Sequence, residues 1–487
     1  MQTRRTLRRT YAQLRRHGST YRTALAAAGL AVAAIVLQNA PRGAALPPPP
    51  PEPVVSATPT ANRTPFAAGP LSGHLAVAES ALLAHGERTL LTELHVAAQG
   101  EAPSGAEVPA AIVLVMDTSG SMAGEKIQQA RLAVQRVVDR MGDEDLFGLV
   151  TYASDAQVLA PLAPVGGRRD ALRAQVLGIA AGGGTQIPDG LRAGHALLAA
   201  AAGDGYARRL VLVSDGIDGS GVGPTGAAAL VRPWANAGVT VAALGIGVDY
   251  QEAFLTSVAD AGRGAYAFLA TGGELEGFLA AELEAASKTL AENVVAEIRL
   301  PAGARLGRAH GATAEQHGER LRLPLGALAS GDTRKVVLEL KLPVGAPAML
   351  GALDAELRFR DRVGQRERVA TTAGALHPQA VATADEVEAS RDVEVWARAQ
   401  AVLVDAEQAV ALEAWRRGER QEAERQAASN LVRLRALQAV APSAMLDAQL
   451  EAAAEEADTY QRVSPSSAGG RAFGLSSNAA RRSRVMQ

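Results

Sequence analysis

The chain has no cysteine. That excludes disulfides, thiolate metal sites, a cysteine nucleophile and a lipid-modified cysteine. Aromatic residues are scarce, at 3% of 487 positions, so any core must come mostly from Ala, Val and Leu, within a hydrophobic content of 48%. Neither sign of charge is in excess: 49 Lys and Arg face 51 Asp and Glu, for a net −2. The chain as a whole therefore offers no electrostatic case for nucleic acid. The eight histidines are scattered and none forms H-x-x-x-H, so a zinc-protease helix is unsupported.

Acid is missing from the amino-terminal stretch as well, where the first acidic residue is Glu52. Residues 1–22 instead hold seven arginines, followed by an uncharged run with an Ala/Leu/Val core at Ala24–Leu37. A basic head before an apolar stretch reads as a signal peptide or membrane anchor over 1–45, with Gly43-Ala44-Ala45 as a weak cleavage site. Arginines on that side predict an amino terminus in the cytoplasm and the remainder outside it. This gives the expectation of an inner-membrane-anchored or exported protein of the periplasm or cell envelope. Residues 46–69, with five consecutive prolines at Pro47–Pro51, read as an extended linker.

Length allows two or three domains. Residues 70–109 read as β strands. Residues 110–280 alternate buried strands with helices, as at Arg209–Val213 and Val239–Gly247, which predicts an α/β domain with a Rossmann-like parallel sheet wrapped on both faces. Residues 290–375 carry short alternating runs broken by Gly and Pro, a β-sandwich-like pattern. The strands before the α/β region are candidates to complete that sheet, with the α/β domain inserted between its halves. Residues 385–460 read as a helical hairpin with Trp396 and Trp415 as packing anchors. The Ser/Gly/Arg-rich stretch 461–487 reads as a disordered tail.

The residues that carry chemistry lie in I-V-L-V-M-D-T-S-G-S-M, Ile112–Met122. An apolar strand ends in Asp117, and Ser119 and Ser121 follow at alternate positions. This puts hard oxygens at the carboxyl edge of a sheet, where open α/β sheets place ligands. Such donors suit Mg²⁺, Ca²⁺ or Mn²⁺ rather than zinc or copper. Taken singly, Asp117 and Ser119 could cap a helix, Thr185 could do the same, and Asp215-Gly216 could be an ordinary turn. Taken together, D-T-S-G-S, then Thr185 in G-G-T-Q, then Asp215 in S-D-G resemble the pattern of a von Willebrand factor A domain, over about a third of the chain.

The resemblance implies a metal-ion-dependent adhesion site. Ser119 and Ser121 would bind the cation directly, and Thr185 directly or through water. Asp117 and Asp215 would act largely through waters and by holding the hydroxyls. It further implies an Mg²⁺ ion, or Mn²⁺ or Ca²⁺, with one position open to an Asp or Glu carboxylate from a partner protein. The expected function is divalent-cation-dependent protein binding, in adhesion or assembly, without catalysis. Two rival readings stand beside it. One is an intracellular assembly subunit docking on an ATPase. The other is a metal-dependent phosphohydrolase with Asp117 as nucleophile, which lacks the second carboxylate that such chemistry needs where Ser119 stands. Gly245-Ile246-Gly247 lacks the remaining glycine of a dinucleotide fingerprint and follows the last strand. No nucleophile elbow surrounds Ser119.

Overall fold

The computed structural model describes residues 61–100, 109–201 and 205–486. The amino-terminal basic head, its apolar core and the proline run lie outside the described residues. The chain enters as β1 (Arg63–Ala68), β2 (Leu71–Val77), β3 (Ala81–Leu83) and β4 (Gly86–Ala98). β1 corrects the expectation of a linker reaching residue 69. Phe66 is buried in a core, and Pro65 is tolerated because β1 is the edge of its sheet.

The α/β domain follows as β5 (Ala110–Asp117), α1 (Glu125–Arg140), β6 (Leu146–Tyr152), β7 (Ala156–Pro164), α2 (Arg169–Leu177), α3 (Ile187–Ala201), β8 (Ala207–Ser214), α4 (Pro224–Asn236), β9 (Val239–Ile246), α5 (Glu252–Gly262), β10 (Arg263–Leu269) and α6 (Leu275–Ser287). The strand order is β10-β9-β8-β5-β6-β7. All pairs are parallel except β6 with β7, so the sheet is not wholly parallel. One face packs on α1, α2 and α6 through residues such as Ile127, Val134, Val176 and Leu279. The other packs on α3, α4 and α5 through Leu191, Val231, Phe254 and Val258. Strands buried on both faces explain the unbroken apolar runs of β5 and β8. The α/β fold is the one expected.

The chain then forms β11 (Thr289–Arg299), β12 (Arg305–His310), β13 (Glu315–His317), β14 (Arg320–Ala329), β15 (Thr333–Val344), β16 (Asp354–Asp361), β17 (Arg366–Thr371) and β18 (Gln379–Val381). β15 pairs antiparallel with β4 from Thr333↔Ala97 to Val344↔Gly86. That pairing joins the two halves into one sheet, β1-β2-β4-β15-β12, facing a second, β13-β14-β11-β16-β17. Alternate residues meet between them: Leu90, Leu94, Val336 and Leu340 from one sheet, Ile298, Leu323 and Leu357 from the other. This is sandwich packing.

Helices α7 (Ala384–Ala389), α8 (Val393–Arg416), α9 (Arg420–Val440), α10 (Ala444–Arg462) and α11 (Ala468–Met486) end the chain. α8 and α9 form the expected hairpin, and α10 and α11 extend it. α11 corrects the expectation of a disordered tail. Its Phe473 meets Trp415 and Tyr460 edge-on at 5.8 and 6.4 Å, and its Leu475 enters the core of the α/β domain.

The expectation of an inner-membrane anchor is corrected as far as the described residues reach, and its apolar core at 24–37 lies outside them. Among the described residues no helix is long and apolar enough to cross a membrane. α8 has the length, at 24 residues, but carries Glu394, Arg398, Asp405, Glu407 and Glu413.

α8 is fastened to the sandwich through a buried carboxylate. Glu93, 1% exposed, accepts from Arg398 Nε and Nη2, both at 2.9 Å, and pairs with His74 Nε2 at 3.1 Å. Burial disfavours its charge, but the hydrogen bonds from His74 and Arg398 outweigh this and hold the carboxyl down at about 2. A lowered folded value means the stabilisation is present above the unfolded carboxyl's range and is lost as pH falls through about 2. Arg398→Met is expected to cost about 3 kcal/mol at neutral pH. The check is a lower urea midpoint, with the gap to the parent narrowing as pH falls towards 2.

Candidate metal centre

β5 lies between β6 and β8, and all eight of its residues are buried. From β5 the chain passes to β6 and β7 on one side, then returns to β8, β9 and β10 on the other. The strand order therefore reverses between β5 and β8. The crevice beyond the carboxyl ends of two such strands is where doubly wound sheets bind ligands. Asp117 ends β5, and Asp215 follows β8.

Asp117 is fully buried. Its Oδ1 accepts from the Ser119 N–H at 2.8 Å; its Oδ2 accepts from Ser214 Oγ at 2.9 Å and from Tyr152 OH at 3.3 Å. Burial pushes its carboxyl up, against the hydrogen bonds from Ser119 and Ser214. Burial likewise raises the Tyr152 phenol, helped by the neighbouring Asp117 charge. The carboxylate thus organises the loop from inside. Met122, buried in the core under α1, pins the loop's far end.

Ser119 Oγ and Ser121 Oγ lie 3.0 Å apart, and Ser121 Oγ donates to Asp215 Oδ1 at 2.7 Å. Asp215 Oδ2 is ion-paired with Lys126 Nζ on α1. Thr185 belongs to a third loop. Its position follows from α3 lying very close to the sheet: a Cβ on Gly190 would come 2.7 Å from the Tyr152 ring, and one on Gly194 2.5 Å from Val115. The three loops are tied by backbone bonds, Gly120 N–H to Gly183 O at 3.1 Å, Gly182 N–H to Thr118 O at 2.8 Å and Gly219 N–H to Thr185 O at 2.7 Å. All five residues singled out from the sequence meet at this edge.

The donor set fits a hard cation on two observations. Gly216 leaves a cradle: a Cβ there would lie 3.2 Å from Thr185 Oγ1 and 3.5 Å from Ser121 Oγ, so both hydroxyls border the same small space. An ammonium, that of Lys126, is already drawn to Asp215. Among the described residues no group of three or more His, Asp or Glu could hold a metal, so hydroxyls must supply much of any ligand set here. Sequence reasoning missed Lys126, Ser214 and Tyr152. Lys126 was findable, since the first turn of the helix after a D-x-S-x-S loop must face that loop. Ser214 and Tyr152 announce themselves only through the sheet pairing.

The family model for the von Willebrand factor type A domain matches residues 111–280. The α/β domain is a von Willebrand factor type A domain. Around this A domain the chain resembles "Uncharacterized protein YfbK" of Escherichia coli, 29% identical over 196 residues, which are 39% of this chain and 34% of that one. It also resembles the bovine inter-alpha-trypsin inhibitor heavy chain H4, 31% identical over 160 residues, 31% of this chain and 18% of the other. The chain thus spans about a third of the bacterial relative and under a fifth of the bovine one. Two solved structures share the fold across 86% of this chain. One is a von Willebrand factor type A protein from Catenulispora acidiphila (TM-score 0.61, 18% identity, 97% of that chain). The other is the ArnB paralog VWA2 from Sulfolobus acidocaldarius (TM-score 0.60, 15% identity, 100% of that chain). The fold likeness therefore extends beyond the A domain to the sandwich and helices that flank it.

Proposed function

We propose that this chain binds a partner protein through a divalent cation held at the carboxyl edge of its A domain, and does no chemistry on it. A domains commonly serve metal-dependent protein interactions, and the observation that carries the reading here is the cradle beside Gly216. Ser119, Ser121 and Thr185 would hold the cation, Mg²⁺ by preference with Mn²⁺ or Ca²⁺ as substitutes. Asp215 would hold the Ser121 hydroxyl and face the cation's charge. Asp117, with both oxygens occupied by protein donors, would keep the loop in shape. The cation would supply a Lewis-acidic point for an incoming oxygen. Mostly neutral hydroxyls leave its charge incompletely compensated, which favours an Asp or Glu side chain from the partner. The buried position of Asp117 argues against its use as a nucleophile, because no substrate atom can reach it.

The test is capture of partner from native extract on the immobilised chain, in Mg²⁺, in chelator, and with Ser121→Ala in Mg²⁺. Ser121 is exposed and its loss leaves the core intact. Capture in Mg²⁺ alone supports the reading. Equal capture in all three arms, or phosphoester hydrolysis lost in Asp117→Asn, overturns it.

A further inference from the structure

The A domain, the sandwich and the helical bundle border a half-open cavity of about 340 Å³ at their junction. That falls within the range of small-molecule sites, roughly 300–1,000 Å³. Part of its wall is apolar, from Leu325 on β14 and Val402 and Ala406 on α8. The rest is dominated by guanidinium groups, those of Arg263, Arg334, Arg481 and Arg482. Three of these, Arg263, Arg334 and Arg482, also line an adjoining cavity of about 460 Å³.

The two carboxylates of the wall already have cations. Asp260 is paired with Arg482, and Asp405 with Arg484 at 3.0 Å. Arg481, 3% exposed, faces Glu456 at 3.6 Å and leaves its Nε without a hydrogen-bond partner. Arg263 spends its donors on neutral oxygens, Ala235 O at 2.8 Å and Asn236 Oδ1. Among the described residues no carboxylate lies within ion-pair reach of it. For Arg334 the carboxylate in reach is Asp332, at 4.0 Å. Burial and the neighbouring Arg322 draw the Arg263 guanidinium down to about 10. Burial draws Arg334 down too, with Arg209 adding to the effect against Asp332. Two half-buried cations, Arg334 with 21% of its side chain exposed, thus stand beside a hollow with an apolar flank, neither in a short ion pair. An oxyanion seated there would supply the pairing that both lack.

We propose that this cavity binds a small organic anion, its carboxylate or phosphate held by Arg263 and Arg334 and its apolar body resting on Leu325, Val402 and Ala406. A guanidinium fork suits either oxyanion, since both accept two parallel N–H bonds. The site is remote from the cation cradle in composition and shares none of its residues. It stands whether or not the cation reading does.

Isothermal titration of the full chain with octyl phosphate, octanoate and neutral 1-octanol, each below its micellar or solubility limit, tests this. At least one of the two anions should bind one to one and at least tenfold more tightly than octanol. The tighter of them assigns the head group. Arg334→Gln should weaken that anion at least tenfold. Ala406→Leu, which fills the hollow with a side chain that α8 tolerates, should abolish binding while leaving the circular dichroism unchanged. Anions that bind no better than octanol overturn the proposal. So does parent-like binding in both variants.

Discussion

Asp215→Ala is expected to weaken Mg²⁺ binding at least ~100-fold in isothermal titration, about 2.8 kcal/mol at 1.4 per tenfold. Asp215 is 1% exposed and stands opposite both the Ser121 hydroxyl and the Lys126 ammonium. Its removal deletes the one carboxylate with an oxygen turned towards a cation at this edge. The fold should survive, because the freed Lys126 is 34% exposed and relaxes into water. Lys126→Met is expected to act in the opposite direction. An ammonium on Asp215 must be displaced before a divalent cation can draw on the same oxygen. Without it, affinity for Mg²⁺ should rise about tenfold, which is about 1.4 kcal/mol. A Lys126→Met variant that binds Mg²⁺ more weakly than the parent would show that the lysine supports the site instead of competing for it.

Trp415→Ala is expected to destabilise the helical bundle by about 3–5 kcal/mol, the usual cost of emptying a buried tryptophan site. The ring is 1% exposed and sits 5.4 Å from Tyr460 and 5.8 Å from Phe473. The loss should spread to α11, which Phe473 anchors on this side. The other face of α11 reaches the A domain through Leu475, through Asn478 donating to Glu252 at 2.8 Å, and through the Arg482–Asp260 pair. Limited proteolysis should therefore cut the variant within α11 under conditions that spare the parent. A variant cut no faster there would separate the two contacts.

What the sequence made legible follows from where free energy is local. β5, β8 and β9 were readable because strands covered on both faces need unbroken apolar runs. The D-T-S-G-S loop was readable because a carboxylate ending such a run is uncommon without a purpose. β7 was missed. It is an edge strand whose Pro161 and Pro164 mask the pattern, and an edge tolerates them. α11 was missed because Gly469, Gly470 and Gly474 give it poor intrinsic helicity. It is helical through contacts made far away in sequence. The arginine-lined hollow depends on side chains converging from separate modules, for which one sequence carries no period.

The pairing of β4 with β15 has a consequence for synthesis. A chain leaving the ribosome delivers β1 to β4 first, yet the partner of β4 arrives only after the whole A domain has emerged. The early strands must wait with an unpaired edge, a state prone to pairing with other chains. The A domain needs none of them for its own sheet and can close meanwhile. It then brings the two ends of the sandwich together, acting as a splint for the strands on either side.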